Sequence, residues 1–122
     1  MMTTKVYHLA FRVSDLDKIT DLMKQLGYVE VRRTTHHGGA VEMESPAQPG
    51  LILEFTLLLT HKGEVPGFDH ACFSLEGMEQ YEELVAGGFP SNNPPHLSPG
   101  SERLITNFKD SDGTKWQFVI NE

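Results

Sequence analysis

Four side chains that commonly bind divalent metals occupy matching places in the two halves of the sequence. His8 and Glu54 lie 46 residues apart, and His70 and Gln117 lie 47 residues apart. Imidazole nitrogen together with carboxylate and amide oxygen suits nickel, cobalt, zinc, manganese or ferrous iron better than magnesium or calcium. Four protein ligands leave positions open for water or substrate, as metal catalysis requires. We therefore predict a divalent-metal site formed by these four residues.

The chain around these residues also repeats. Residues 8–11 (HLAF) and 26–28 (LGY) correspond to residues 70–73 (HACF) and 87–89 (GGF), with a predicted helix between the members of each pair. Glycine, ligand-type residue and aromatic residue keep the same register in both halves. The repeat predicts one domain, residues 1–122, made of two modules and a linker. We place module one at about 5–60, the linker at about 61–67 and module two at about 68–121.

Each half has the pattern of a strand, a helix and three further strands. Apolar residues at spacings of three and four predict helices at 16–26, ended by Gly27, and at 77–86. Alternating and β-branched residues predict the strands. These cover 5–13, 28–34, 40–44, 51–59, 68–75, 102–109 and 114–120, with at most a weak edge pairing within the loop 90–100.

Side chains alternate across a strand, so each ligand-bearing strand has an apolar face and a mixed face. On the first strand Tyr7 and Phe11 share the apolar face, opposite His8. We expect the apolar faces to pack under the two helices and the mixed faces to line a concave surface. The predicted fold class is α+β: two tandem βαβββ modules forming an incomplete eight-stranded barrel or curved sheet with the helices outside.

Several runs of sequence resemble the vicinal oxygen chelate superfamily, which includes glyoxalase I, fosfomycin and bleomycin resistance proteins, methylmalonyl-CoA epimerase and extradiol dioxygenases. The runs are HLAFRVSDLD (8–17), LGY (26–28), ILEF (52–55), FDHACF (68–73) and KDSDGTKWQF (109–118). The resemblance covers nearly the whole chain and is strongest to bacterial glyoxalase I (lactoylglutathione lyase). It implies that the metal is held by His8, Glu54 and His70, which match the family pattern, while Gln117 departs from it because a glutamate is expected there.

The departure at Gln117 has two consequences. With two neutral imidazoles and one carboxylate, a bound dication keeps a net charge of +1, which favours anionic ligands. An amide also cannot remove a proton from carbon as a carboxylate can. Glu54 is then the only carboxylate of the set, and we assign it as the catalytic base.

Two further residues are candidates for contact with the substrate. Arg12 shares a strand face with His8 and could hold a substrate carboxylate or pair with an acid. Cys72 shares a face with His70 and is predicted to be a small pocket or core residue, because nothing nearby in sequence would activate the thiol. The other histidines fall in predicted loops and are expected to be exposed to solvent: His36, His37, His61 and His96.

The resemblance implies a metal-dependent lyase or isomerase of the glyoxalase I type, acting on a small substrate with adjacent oxygens, with a glutathione adduct among the candidates. One alternative is a non-catalytic protein that binds a small molecule such as an antibiotic. Another is a ferrous extradiol-type dioxygenase using His8, His70 and Glu54. The family implies a homodimer, and a site within one chain and a site across the dimer both remain open.

Composition excludes several other classes. The chain has 122 residues, a net charge of −7 and a single cysteine, which argues against a nucleic-acid partner and against an internal disulfide framework. The longest apolar stretch, 51–59, is interrupted by Glu54 and Thr56, whereas a membrane-spanning helix needs about 20 apolar residues. No signal peptide is evident, so we expect a cytoplasmic protein with no membrane partner.

Overall fold

The computed structural model describes residues 4–91 and 93–121. The predicted α+β fold class is confirmed, because this part of the chain contains eight strands and two helices. The strands are β1 (Lys5–Val13), β2 (Val29–Thr34), β3 (Ala40–Glu44), β4 (Ile52–Leu57), β5 (Gly67–Leu75), β6 (His96–Leu97), β7 (Leu104–Lys109) and β8 (Lys115–Ile120). The helices are α1 (Leu16–Gln25) and α2 (Met78–Ala86), and short 3-10 turns occur at His36–Gly38 and Thr60–Lys62.

All eight strands form one curled sheet, a half-barrel, in the order β2-β3-β4-β1-β5-β8-β7-β6. The first strand of each half lies in the middle, where β1 and β5 pair antiparallel. Each of these strands pairs in parallel with the last strand of its own half, β1 with β4 and β5 with β8. The order of strands in one half therefore mirrors the order in the other. The four ligand-bearing strands predicted from the sequence are the four central strands.

The two helices cover the outer face of the sheet. Asp15 caps α1 by accepting a hydrogen bond from the Lys18 backbone N–H at 3.0 Å. The apolar stripe of α1, which includes Ile19 and Met23, packs against a cluster that includes Met43 and Phe55. The corresponding side chains of α2 and the second half are Met78, Tyr81 and Leu84, packed on Leu75, Phe108, Phe118 and Ile120. The opposite, concave face is left for polar side chains, as predicted.

Two details differ from the sequence-based expectation. Tyr7 was expected under the helices, but the β1–β5 ladder shifts register between Val6 and His8, and Tyr7 packs instead against Cys72 on the concave side. The predicted strand at 102–109 begins only at Leu104, because Glu102 has a φ of 58° within a turn. The weak edge pairing expected in the loop 90–100 is present as β6.

Across the described residues, no helix is both long enough and apolar enough to cross a membrane.

Candidate metal centre

Strand register brings the ligand-type residues together on the concave face. Ala10 lies opposite Glu54 on one side of β1 and opposite His70 on the other side. His8 precedes Ala10 by two residues on the same strand face, so its side chain is on the same side of the sheet as these two. Gln117 follows on β8, where its Cα lies opposite that of Cys72.

Three of the predicted ligands converge within the reach of one ion. The ligand atoms of His8, Glu54 and His70 all lie within 4.8 Å of one another, and each of these residues is 4% exposed. The Nε2 atoms of the two histidines are 3.2 Å apart. Two nitrogens at the usual distance of about 2.0–2.1 Å from one metal would lie about 3.0–3.4 Å apart, so the pair fits a shared ion. The whole group comes from one chain.

Gln117 borders this group. It is 8% exposed, and its Nε2 donates to Asn107 Oδ1 at 3.2 Å. Because Asn107 engages the amide nitrogen, the amide oxygen is the atom that Gln117 can offer as a ligand. As a metal ligand, this amide would add an oxygen atom without adding charge.

The protonation states of the group suit a cation. Burial, together with the charges of His70 and Arg103, lowers the pKa of His8 to about 3, so this imidazole is neutral at pH 7, as a metal ligand must be. Burial raises the pKa of Glu54, which is the usual effect of a low-dielectric setting on an acid, and it outweighs the opposing charge of Arg103. A divalent metal ion fits this group, because it would bind the two imidazoles and offset the charge of the Glu54 carboxylate.

The two histidines differ in what holds them. His70 Nδ1 donates to Asp69 Oδ2 at 2.6 Å, which keeps the proton on Nδ1 and leaves the Nε2 lone pair directed at the group. Arg12 Nη2 and Lys115 Nζ each lie 3.3 Å from the same oxygen. Although burial opposes it, the hydrogen bond from His70 and these two charges hold the pKa of Asp69 well below its usual range. His8 Nδ1, in contrast, is buried without a hydrogen-bond partner in the described part of the chain.

The two predicted substrate-contact residues lie close by in different surroundings. Arg12 is 7% exposed and donates hydrogen bonds to Thr56 Oγ1 and to Asp69. Cys72 is fully buried in an apolar cluster with Ile105, and burial raises the pKa of its thiol. Their contacts with a substrate remain predictions.

An ion pair with a buried carboxylate on the same face was missed from the sequence. Glu42 is 3% exposed and lies opposite Glu54 in the β3–β4 ladder. Both of its oxygens accept from Arg103, with Nη2 to Oε1 at 3.0 Å. The alternation in β3 could have identified Glu42 as an acid on the concave face, but nothing in the local sequence indicates its partner 61 residues away.

Residues 98–103 of the second half cross to the first half. We call this segment, which ends at Arg103, the strap. Arg32 Nη2 donates to the Ser101 carbonyl at 2.6 Å, and His36 Nδ1 lies 3.0 Å from the Pro99 carbonyl. Gly100 approaches so closely that a Cβ built there would lie 2.6 Å from the His36 backbone nitrogen. The strap therefore joins the two halves of the half-barrel outside the sheet itself.

These contacts correct the expectation that the loop histidines are exposed. His36 is only partly exposed beneath the strap, and His37 Nε2 lies 2.8 Å from a Glu64 oxygen. His61 and His96 are exposed as expected.

Comparisons with known proteins agree with the fold. A family model, the Glyoxalase/Bleomycin resistance protein/Dioxygenase superfamily, matches residues 5–118. No curated protein sequence matches the chain. A methylmalonyl-CoA epimerase structure from Mycobacterium tuberculosis is similar, with a TM-score of 0.79 and 15% identity over 100% of this chain and 93% of that chain. A hypothetical protein from Bacillus halodurans C-125 has a TM-score of 0.78 and 12% identity over 99% and 96%.

The H200Q variant of homoprotocatechuate 2,3-dioxygenase from B. fuscum is also similar, with a TM-score of 0.66 and 14% identity over 97% of this chain but 34% of that chain. None of these three structures is named as a glyoxalase I, and identities this low show the fold alone. The family match extends over nearly the whole chain and includes all four predicted ligands. This chain belongs to the glyoxalase/bleomycin resistance protein/dioxygenase superfamily.

Proposed function

We propose that this chain is a divalent-metal-dependent lyase or isomerase of the glyoxalase I type, which moves a proton on a small substrate with adjacent oxygens. The observation that supports it is the convergence of His8, Glu54 and His70, buried and within 4.8 Å of one another in one chain. Nickel, zinc, cobalt, manganese and iron all suit such a donor set. The similar epimerase structures are consistent with proton transfer, because inversion at a carbon also requires a proton to leave and return.

Each residue has a distinct role in this proposal. His8, His70 and Gln117 hold the metal through neutral donors, and a bound metal supplies Lewis-acid stabilisation of negative charge on the substrate oxygens. Glu54 carries the proton, because it is the only carboxylate of the ligand set. The burial of all four side chains keeps water from competing for that proton. We also propose that the protein acts as a homodimer in which each chain contributes a complete ligand set.

The first experiment is metal analysis by inductively coupled plasma mass spectrometry on protein purified without a chelator or a metal-affinity tag. We expect about one of the five metals per chain, lost in His8→Ala and retained in His61→Ala, whose side chain is exposed. A protein that is empty and takes up none of these metals would overturn the proposal.

A second experiment separates the ligand role of Glu54 from its role as base. Glu54→Gln keeps an oxygen donor but cannot accept a proton, so we expect metal to be retained and turnover to be lost. The assay begins with methylglyoxal plus glutathione, because a glutathione adduct is the substrate of the glyoxalase I resemblance. Full activity in Glu54→Gln would contradict the assignment of the base.

One observation favours a second candidate, a non-catalytic binding protein. Gln117 removes the carboxylate that the family pattern places on the last strand, so the site has one proton acceptor fewer. Such a protein would bind its ligand in His8→Ala as well as in the wild type. A ferrous dioxygenase is a third candidate, and oxygen uptake with a catechol after loading with ferrous iron would favour it.

A further inference from the structure

A cavity of about 280 Å³ borders β1, β7 and β8. Tyr7 lines it, and the Tyr7 ring is 5.6 Å from the His8 ring, centroid to centroid. Leu97, Leu104 and Val119 supply apolar walls. The volume is slightly below the roughly 300–1,000 Å³ typical of ligand sites, which suits a molecule with only a few carbon atoms.

Arg103 is the cation among the residues that line the cavity, and its side chain is 20% exposed. Its guanidinium lies 5.4 Å above the centroid of the Tyr7 ring, so the same ring contacts His8 and Arg103. Glu42 accepts two of the five N–H groups of this guanidinium and holds it in place. The acid among the lining residues, Glu102, is exposed to solvent.

We propose that Arg103 is a specificity-determining residue that receives the carboxylate of a small substrate with a short aliphatic chain. A guanidinium is the side chain best suited to carboxylate recognition, because it offers several N–H donors in one plane. The apolar walls accept the aliphatic chain, and the Tyr7 ring, which contacts both Arg103 and His8, places the carboxylate close to the candidate metal centre. The link to catalysis rests on the proposed function, but recognition of the carboxylate by Arg103 does not require a metal.

The test compares butyrate with butyramide, which has the same shape and no charge. Their dissociation constants are measured by calorimetry or NMR titration, on protein treated with a chelator and on protein loaded with zinc. In the wild type we expect butyrate to bind about ten- to a hundred-fold more tightly than butyramide, the range for a charged hydrogen bond. Arg103→Gln is expected to abolish that preference. The matched control is Arg33→Gln, at an exposed arginine on β2 paired with Glu30, which should retain it.

Loss of Arg103 alone leaves the buried Glu42 with only the more distant Arg32, whose Nη1 lies 4.0 Å from Glu42 Oε2, and could unfold the chain. The double variant Glu42→Gln/Arg103→Gln removes both charges and is measured alongside. A merely structural role would weaken butyrate and butyramide equally, whereas carboxylate recognition changes only their ratio.

The outcomes distinguish this inference from the proposed function. A preference for butyrate that disappears with Arg103 supports the inference, even in a protein that takes up no metal. In the chelator-treated protein, where no metal can attract the carboxylate, retention of the preference in the double variant or the absence of butyrate binding in the wild type overturns it.

Discussion

Replacing Asp69 by asparagine should weaken metal binding at the candidate centre, although Asp69 is not one of the proposed ligands. Its carboxylate accepts the Nδ1 proton of His70 at 2.6 Å. This bond selects the tautomer whose Nε2 lone pair points toward His8 Nε2, 3.2 Å away. Asparagine keeps the size of the side chain but loses the charge, and its amide can also turn an N–H toward the ring.

The size of the effect follows from the type of hydrogen bond that is lost. A hydrogen bond to a charged group contributes about 1.5–3 kcal/mol and a neutral one about 0.5–1.5 kcal/mol. The difference, about 1–2 kcal/mol, corresponds to a dissociation constant about five- to thirty-fold larger. Loss of a partner that orients a metal-ligating histidine typically costs about ten- to a hundred-fold in affinity, which overlaps this range.

The assay is competition for zinc or cobalt between the protein and a chelating dye, with the wild type and Asp69→Asn at the same pH. The control is Lys115→Gln, because Lys115 Nζ lies 3.3 Å from the same Asp69 oxygen but the side chain is one-third exposed. An exposed partner contributes little, so we expect the control to remain within about fivefold of the wild type. Nitrogen-15 NMR of the His70 ring reports the tautomer independently. Equal metal affinities in Asp69→Asn and the wild type would refute this reasoning.

Two further predictions concern stability. Gly100→Ala should lower the free energy of unfolding by about 1–3 kcal/mol more than Gly113→Ala, because both glycines have a φ above +80° but only the Cβ at 100 would meet the His36 backbone. Urea denaturation measures both variants, and equal losses would contradict the close approach of the strap. The metal-free protein should be most stable above about pH 6.5 and lose stability as the pH falls toward 3, because the pKa of His8 is 6.5 in the unfolded chain and about 3 in the fold. The slope from this residue is at most about 1.4 kcal/mol per pH unit, and His8→Asn should reduce it in the same denaturation experiment.

Much of the fold could be predicted because its signals are local. Alternation in 51–59 and 114–120 places Phe55 and Phe118 under the helices, where the structure has them. The repeat relates His8 to His70 and Glu54 to Gln117, and the first three of these converge in the structure. Such signals suffice because strand faces and helix stripes depend on residues a few positions apart.

The remaining features depend on contacts between distant segments. The prediction for Tyr7 was wrong because the register shift in β1 is set by its pairing with β5, which the sequence of β1 does not contain. The prediction that His36 is exposed was wrong because the strap, more than 60 residues later, packs over it. The alternation in β3 places Glu42 on the concave face. Its ion pair with Arg103, however, forms only when the folded sheet brings these two distant residues together.

The central position of β1 has a consequence for how this chain folds. The β2–β3, β3–β4 and β7–β8 pairs are between strands that follow one another in the chain and can form early, whereas β1 must find partners 44 or more residues away in β4 and β5. Closing loops of that length is entropically costly and slow. The candidate ligand set, whose two histidines lie 62 positions apart, is therefore assembled only when the long-range topology is nearly complete. A metal ion bound by these residues would therefore not nucleate folding, and its uptake would report a chain that has already folded.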